Sequence, residues 1–174
     1  MKTSLRHKLT ILALAVYFPL LLTLTHIPIP DVVRRAGVSD KGLHFIAFMI
    51  LSFLAWFAFN PNTKVRIGYL STWIILLATS LYAAADEISQ KFIEERSFDM
   101  LDLAANIGGI LTGILLAGIF PFWRCLLSVA AITIFTLENL CKTDISELTP
   151  LTNITFHFSG YLVLTLIWDY VFKT

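Results

Sequence analysis

Charge is scarce in this sequence. Asp, Glu, Lys and Arg make up 14% of its 174 residues, against about 25% in soluble domains. Nor is there an excess of either sign. Thirteen Lys and Arg stand against 12 Asp and Glu, a net charge of +1, so the chain offers no basic surface for a nucleic acid. Cysteine is equally thin. Cys125 and Cys141 are the two present, too few for a disulfide framework, and on one continuous helix they stand about 24 Å apart. Sequential metal-binding motifs are missing, as is any Ser or Cys nucleophile with an evident base. No resident cofactor is expected.

What remains is apolar. Hydrophobic residues are 57% of the chain and mean hydropathy is +0.77. Six stretches carry no Asp, Glu, Lys or Arg: Leu9–Pro30, Gly42–Thr63, Ile67–Ala85, Leu103–Trp123, Cys125–Leu137 and Leu148–Trp168. A helix needs roughly 20 apolar residues to cross a bilayer core. Five stretches reach that length. The fifth in order, Cys125–Leu137, spans only with Arg124 and Glu138 at opposite interfaces and Arg124 snorkelling. The expected fold is an all-α polytopic bundle of about six transmembrane helices, forming one domain over residues 1–174. The first stretch follows Lys2, Arg6 and Lys8, as a signal peptide would, but it ends in "THIPIP" rather than a small-residue cleavage site. It is read as a retained span, kinked at Pro19.

With six spans both termini share a side, and the basic flank of the first helix assigns them to the cytoplasm. The acids are not shared out. Asp169 alone falls on the terminal side; the other eleven fall opposite or at helix ends facing that way. Half of all the acids lie in "DEISQKFIEERSFDMLD", from Asp86 to Asp102. The polar chemistry is therefore expected on one face of a bacterial cytoplasmic membrane, the extracytoplasmic one.

Spacing groups these residues further. Asp99, Asp102, Asn106, Gly109 and Gly113 follow one another at 3, 4, 3 and 4 residues, within about 80° of one helical face. Gly109 and Gly113 suit close helix packing, and Asn106 either joins helices by a hydrogen bond or serves a site. "SDKGLHF" puts Asp40 four residues before His44, where a carboxylate can orient an imidazole and raise its proton affinity. The bland alternative is a helix N-cap at Ser39 or Asp40. Asp86, Glu87 and Gln90 close the third span, and ionisable groups at a membrane boundary are functional candidates. Arg96 offers a guanidinium fork to Asp99, Asp102 or an anionic ligand. Glu94 and Glu95 read as solvated.

Four segments in this order, "DK-x-x-HF", "Y-x-x-x-DE-x-x-Q-x-F", "R-S-x-D-x-x-D" and "N-x-x-G-x-x-x-G", resemble the VanZ-like family of bacterial membrane proteins. They are carried by Asp40, Lys41, His44 and Phe45; Tyr82, Asp86, Glu87, Gln90 and Phe92; Arg96, Asp99 and Asp102; and Asn106, Gly109 and Gly113. The resemblance covers about residues 10–120. It implies a cell-envelope role of the kind linked to glycopeptide resistance, without a settled reaction. Residues 121–174 read as an extension or a degenerate second copy, since "HFSGYLVL" at His157 echoes "HFIAFMIL" at His44. Glu138 and His157 are its secondary site candidates.

Three functions fit these residues. The first is a pocket that binds or acts on an envelope lipid or glycopeptide. In the second, a membrane enzyme, Glu87 or Asp86 acts as general base with His44 as its partner; Asp40, Lys41, Gln90, Arg96, Asp99, Asp102 and Asn106 bind or orient an anionic lipid-linked substrate. Should a cation be held, the oxygen-rich set suits Mg²⁺, Ca²⁺ or Mn²⁺. A small transporter is third, because no polar residues stand out deep in both halves of the membrane.

Overall fold

The computed structural model describes residues 4–27, 39–93, 96–140 and 150–173, with side chains described for all of these but 138–140, 150–157 and 173. Among the described residues the fold is all helical. Six helices follow in order: α1 (Leu5–Thr25), α2 (Asp40–Phe59), α3 (Leu70–Gln90), α4 (Met100–Ile119), α5 (Phe122–Leu140) and α6 (Pro150–Lys173). Each falls on one of the six uncharged stretches. Helices α1, α2 and α4 are long and apolar enough to cross a membrane. Helix α3 is as long as α1, with 21 residues, but Asp86, Glu87, Ser89 and Gln90 make its last turns polar. Pro19 lies inside α1, which continues past it to Thr25.

The helices alternate in direction. Arg6 at the start of α1 donates to the Pro61 carbonyl and, at 2.7 Å, to Asn62 Oδ1, so that helix begins where α2 ends. Lys64 in the α2–α3 loop donates to the Ile119 carbonyl at the end of α4, at 2.8 Å. Trp123 near the start of α5 meets Tyr170 near the end of α6, ring centroids 4.7 Å apart. The start of α1 and the end of α6 thus lie at one end of the bundle. The end of α3 and the starts of α2 and α4 lie at the other, the acidic end.

Helix α2 is the hub. It packs against α1, α3, α5 and above all α4. A Cβ on Gly109 would strike the Phe45 carbonyl oxygen and sit 2.9 Å from the Met49 nitrogen, and one on Gly113 would strike Ser52 Oγ and come within 2.6 Å of the Met49 carbonyl oxygen. The glycine stripe is therefore pressed on α2 backbone, as its spacing predicts. Met49, Phe53, Trp56, Ile114, Cys125 and Val129 form one core between α2, α4 and α5; Cys125 is a free, buried thiol. Phe48, Leu51, Leu21, Ala83 and Ile110 form a second beneath α1. Outward, Leu12, Val16, Leu77, Leu81, Leu111 and Leu115 are exposed while Asp86, Glu87, Gln90 and Asn106 are buried. Water would invert that pattern, and lipid tails accept it.

Candidate functional site

The polar groups converge where α3 ends and α2 and α4 begin. Adjacent residues on a helix differ by about 100°, so Asp86 and Glu87 point to different neighbours, yet they are 2% and 0% exposed. Asp86 turns to α1. Its Oδ1 accepts from the Thr25 hydroxyl at 2.6 Å and its Oδ2 from Gln90 Nε2 at 3.2 Å. His26 Nδ1 stands 3.7 Å from Oδ1, and its Nε2 meets Ser89 Oγ at 2.7 Å. Glu87 turns to α4, where its Oε1 accepts the Asp99 backbone N–H at 2.9 Å. Its Oε2 is buried without a protein partner.

Across from Glu87, His44 Nδ1 and Asn106 Oδ1 lie 3.0 Å apart. The same imidazole places Nε2 3.8 Å from Asp40 Oδ1, too far for a hydrogen bond. The i,i+4 spacing thus brings Asp40 beside His44, while the hydrogen bond that orients the ring comes from Asn106, whose Nδ2 has no partner. Lys41 bridges two carboxylates, 3.0 Å from Asp99 Oδ2 and 3.2 Å from Asp102 Oδ1. Asp99 is the α4 N-cap, with Oδ1 accepting from the Leu101 N–H at 2.8 Å. That bond, then the Lys41 ammonium, hold its carboxyl below the usual carboxylate range. Ser39 is the N-cap of α2, without a side-chain bond to it.

Arg96 departs from the pairing its sequence position suggests. Lys41 takes Asp99 and Asp102, and Arg96 donates instead to the Ile27 carbonyl at 3.4 Å, leaving Nε buried and unpartnered. Next to the polar cluster lies a groove of about 360 Å³ between α1, α2 and α3, lined by Leu14, Phe18, Pro19, Leu51, Ala78 and Tyr82 among others. Tyr82 sits one turn before Asp86, so the groove meets the polar cluster at its acidic end.

A family model, VanZ/LLP1, matches residues 6–121. The chain belongs to the VanZ/LLP1 family. No curated protein and no solved structure matches it. The matched region of this VanZ/LLP1 chain holds α1 to α4 and with them every site residue just described; α5 and α6 lie beyond it.

Of the residues singled out in the sequence, Asp40, Lys41, His44, Asp86, Glu87, Gln90, Asp99, Asp102 and Asn106 are brought into two adjoining networks. Arg96 stands at their rim. Gly109 and Gly113 sit below, as packing residues. Glu138 and His157 belong to α5 and α6, but their side chains lie outside the described residues, as do Glu94 and Glu95. Sequence reasoning missed Thr25, His26 and Ser89. Thr25 and His26 are polar residues closing an apolar run, a pattern that by itself marks only the end of a span.

Proposed function

We propose that this VanZ/LLP1 membrane protein binds an anionic envelope lipid, its head group in the polar cluster and a chain in the groove beside it. The juxtaposition of the two carries the reading: an apolar groove that reaches Tyr82, one turn from Asp86 and Glu87. Such a pairing of dry slot and wet end matches an amphiphile. Among the described residues Lys41 and Arg96 offer cations to the head. The basic residues before α1 and in the α2–α3 loop favour a cytoplasmic location for that end, which leaves the pocket facing outward. A role in tolerance to glycopeptides follows from the family resemblance.

Mass spectrometry of lipids that co-purify with the chain tests the proposal. Ala78→Trp fills the groove and should remove the bound lipid while the protein stays folded. Lipid retention in that variant would sink the reading.

A second reading, acid–base catalysis, draws support from Glu87. A buried carboxylate with one oxygen held by the Asp99 amide and one free is arranged as a base awaiting a donor. Glu87→Gln separates the two: binding persists under both, and only a base loses turnover.

A further inference from the structure

Among the described residues the polar cluster holds more acids than cations. Among the described residues the acidic end gathers Asp40, Asp86, Glu87, Asp99 and Asp102 against Lys41, Lys91 and Arg96, and Lys91 lies over the Phe98 ring, 4.8 Å from its centroid. An anionic head group entering here meets surplus negative charge.

Three of the donors stand together. Asp40, His44 and Asp102 each offer a ligand atom, and the three atoms lie within 4.8 Å of one another. Donors at about 2.1 Å from one octahedral cation stand about 3.0 Å apart when adjacent and about 4.2 Å apart when opposite, so closing on one requires a shift of about an ångström. The imidazole is already set for it. On the neutral tautomer whose Nδ1–H is donated to Asn106 Oδ1, the Nε2 lone pair faces the Asp40 carboxylate, 3.8 Å away. A metal-bound histidine characteristically gives its other ring N–H to an acceptor in this way. Lys41 takes one oxygen of Asp102 and leaves the other.

Two further atoms point to the same conclusion. Glu87 Oε2 and Asn106 Nδ2 are both buried and have no hydrogen-bond partner among the described residues. Asn106 is bonded to the His44 ring, and Glu87 holds the backbone N–H of Asp99, whose carboxylate shares Lys41 with Asp102. Buried polar atoms in native proteins are nearly always satisfied. Water on a cation would supply the donor that Oε2 lacks, and a head-group oxygen the acceptor that Nδ2 lacks.

We propose that Asp40, His44 and Asp102 bind one divalent first-row cation, with Asn106 positioning His44 and Glu87 receiving a cation-bound water. Two carboxylates and one imidazole suit Mn²⁺ better than Ca²⁺, which prefers oxygen alone. The cation site stands on its own geometry; its use as a bridge to an anionic head rests on the lipid reading above.

The full chain in lipid-free detergent, stripped with EDTA and titrated with MnCl₂, tests it. The expected result is saturable binding of one Mn²⁺ with a single ¹⁴N coupling in pulsed EPR. His44→Ala should abolish the nitrogen coupling, and Asn106→Ala should weaken binding by about 10–100-fold. Asp169→Asn, at the opposite end, should leave binding unchanged. Failure of both Mn²⁺ and Zn²⁺ to bind, or Mn²⁺ bound without nitrogen coupling, overturns the site; the wild-type spectrum decides even where a variant fails to fold. Lipid retained in EDTA overturns the bridge and spares the lipid reading, whereas Mn²⁺ bound by a chain that takes no lipid overturns the lipid reading and spares the site.

Discussion

Asp86 and Glu87 are neighbours in sequence with opposite solutions to burial. Asp86 is met by side chains from its own helix and from α1, and both its oxygens have donors. Glu87 has one donor, a backbone amide of α4, and keeps an oxygen free. The difference separates an acid held for structure from one available for chemistry. Thr25 has a single proton, and the 2.6 Å approach to Asp86 claims it. Thr25→Val keeps the shape and removes that donor from a buried carboxylate, so the chain should lose about 1–2 kcal/mol of stability, read from unfolding in detergent. Unchanged stability would mean that Asp86 is satisfied without Thr25. The sequence made the acidic pair legible as a boundary feature. That both members turn inward was not, because it takes a helix on each side of α3, and single-helix periodicity allows one buried face.

The α2–α4 contact shows what helical spacing does and does not encode. Asp99, Asp102, Asn106, Gly109 and Gly113 share a face as their 3-4-3-4 spacing requires, and that face meets α2 at the glycines. The partners were hidden. Spacing fixes the face but not the height of the facing helix, and that height gives His44 to Asn106 and both Asp99 and Asp102 to Lys41. Arg96 is displaced from them because it precedes α4, whereas Lys41 rises from the opposing helix. Register also makes the glycines unequal. Gly109→Ala pushes a methyl into α2 backbone and should destabilise the protein by about 1–3 kcal/mol. At Gly108 a Cβ meets only the Phe45 ring, at 3.6 Å, so Gly108→Ala should be nearly neutral. Equal melting temperatures for the two variants in detergent would mean that α4 does not pack on α2 at this height.

Across the whole molecule, apolar side chains cover the outside and ionisable ones are buried at one end. Association of such helices gains little from the hydrophobic effect, since lipid is as apolar as leucine; it relies on close backbone packing and interhelical hydrogen bonds. Both are present in α1 to α4, the part matched by the family model. The six-helix pattern was legible because charge is so sparse that its absence marks the helices. Absolute orientation depends on a finer balance. Arg6, Lys8, Lys64 and Arg66 gather at one end and the acidic networks at the other, so the positive-inside tendency predicts Lys64 in the cytoplasm and Lys91 outside. In a background with Cys125 and Cys141 replaced by serine, single cysteines at these two positions report that directly. A membrane-impermeant maleimide applied to intact cells should label Lys91→Cys at once and Lys64→Cys only after permeabilisation. The reverse pattern would turn the polar pocket to the cytoplasm and remove an extracellular head group from consideration. Labelling of both from one side would mean that α3 does not cross the membrane, a result that would separate Asp86 and Glu87 from any transbilayer frame.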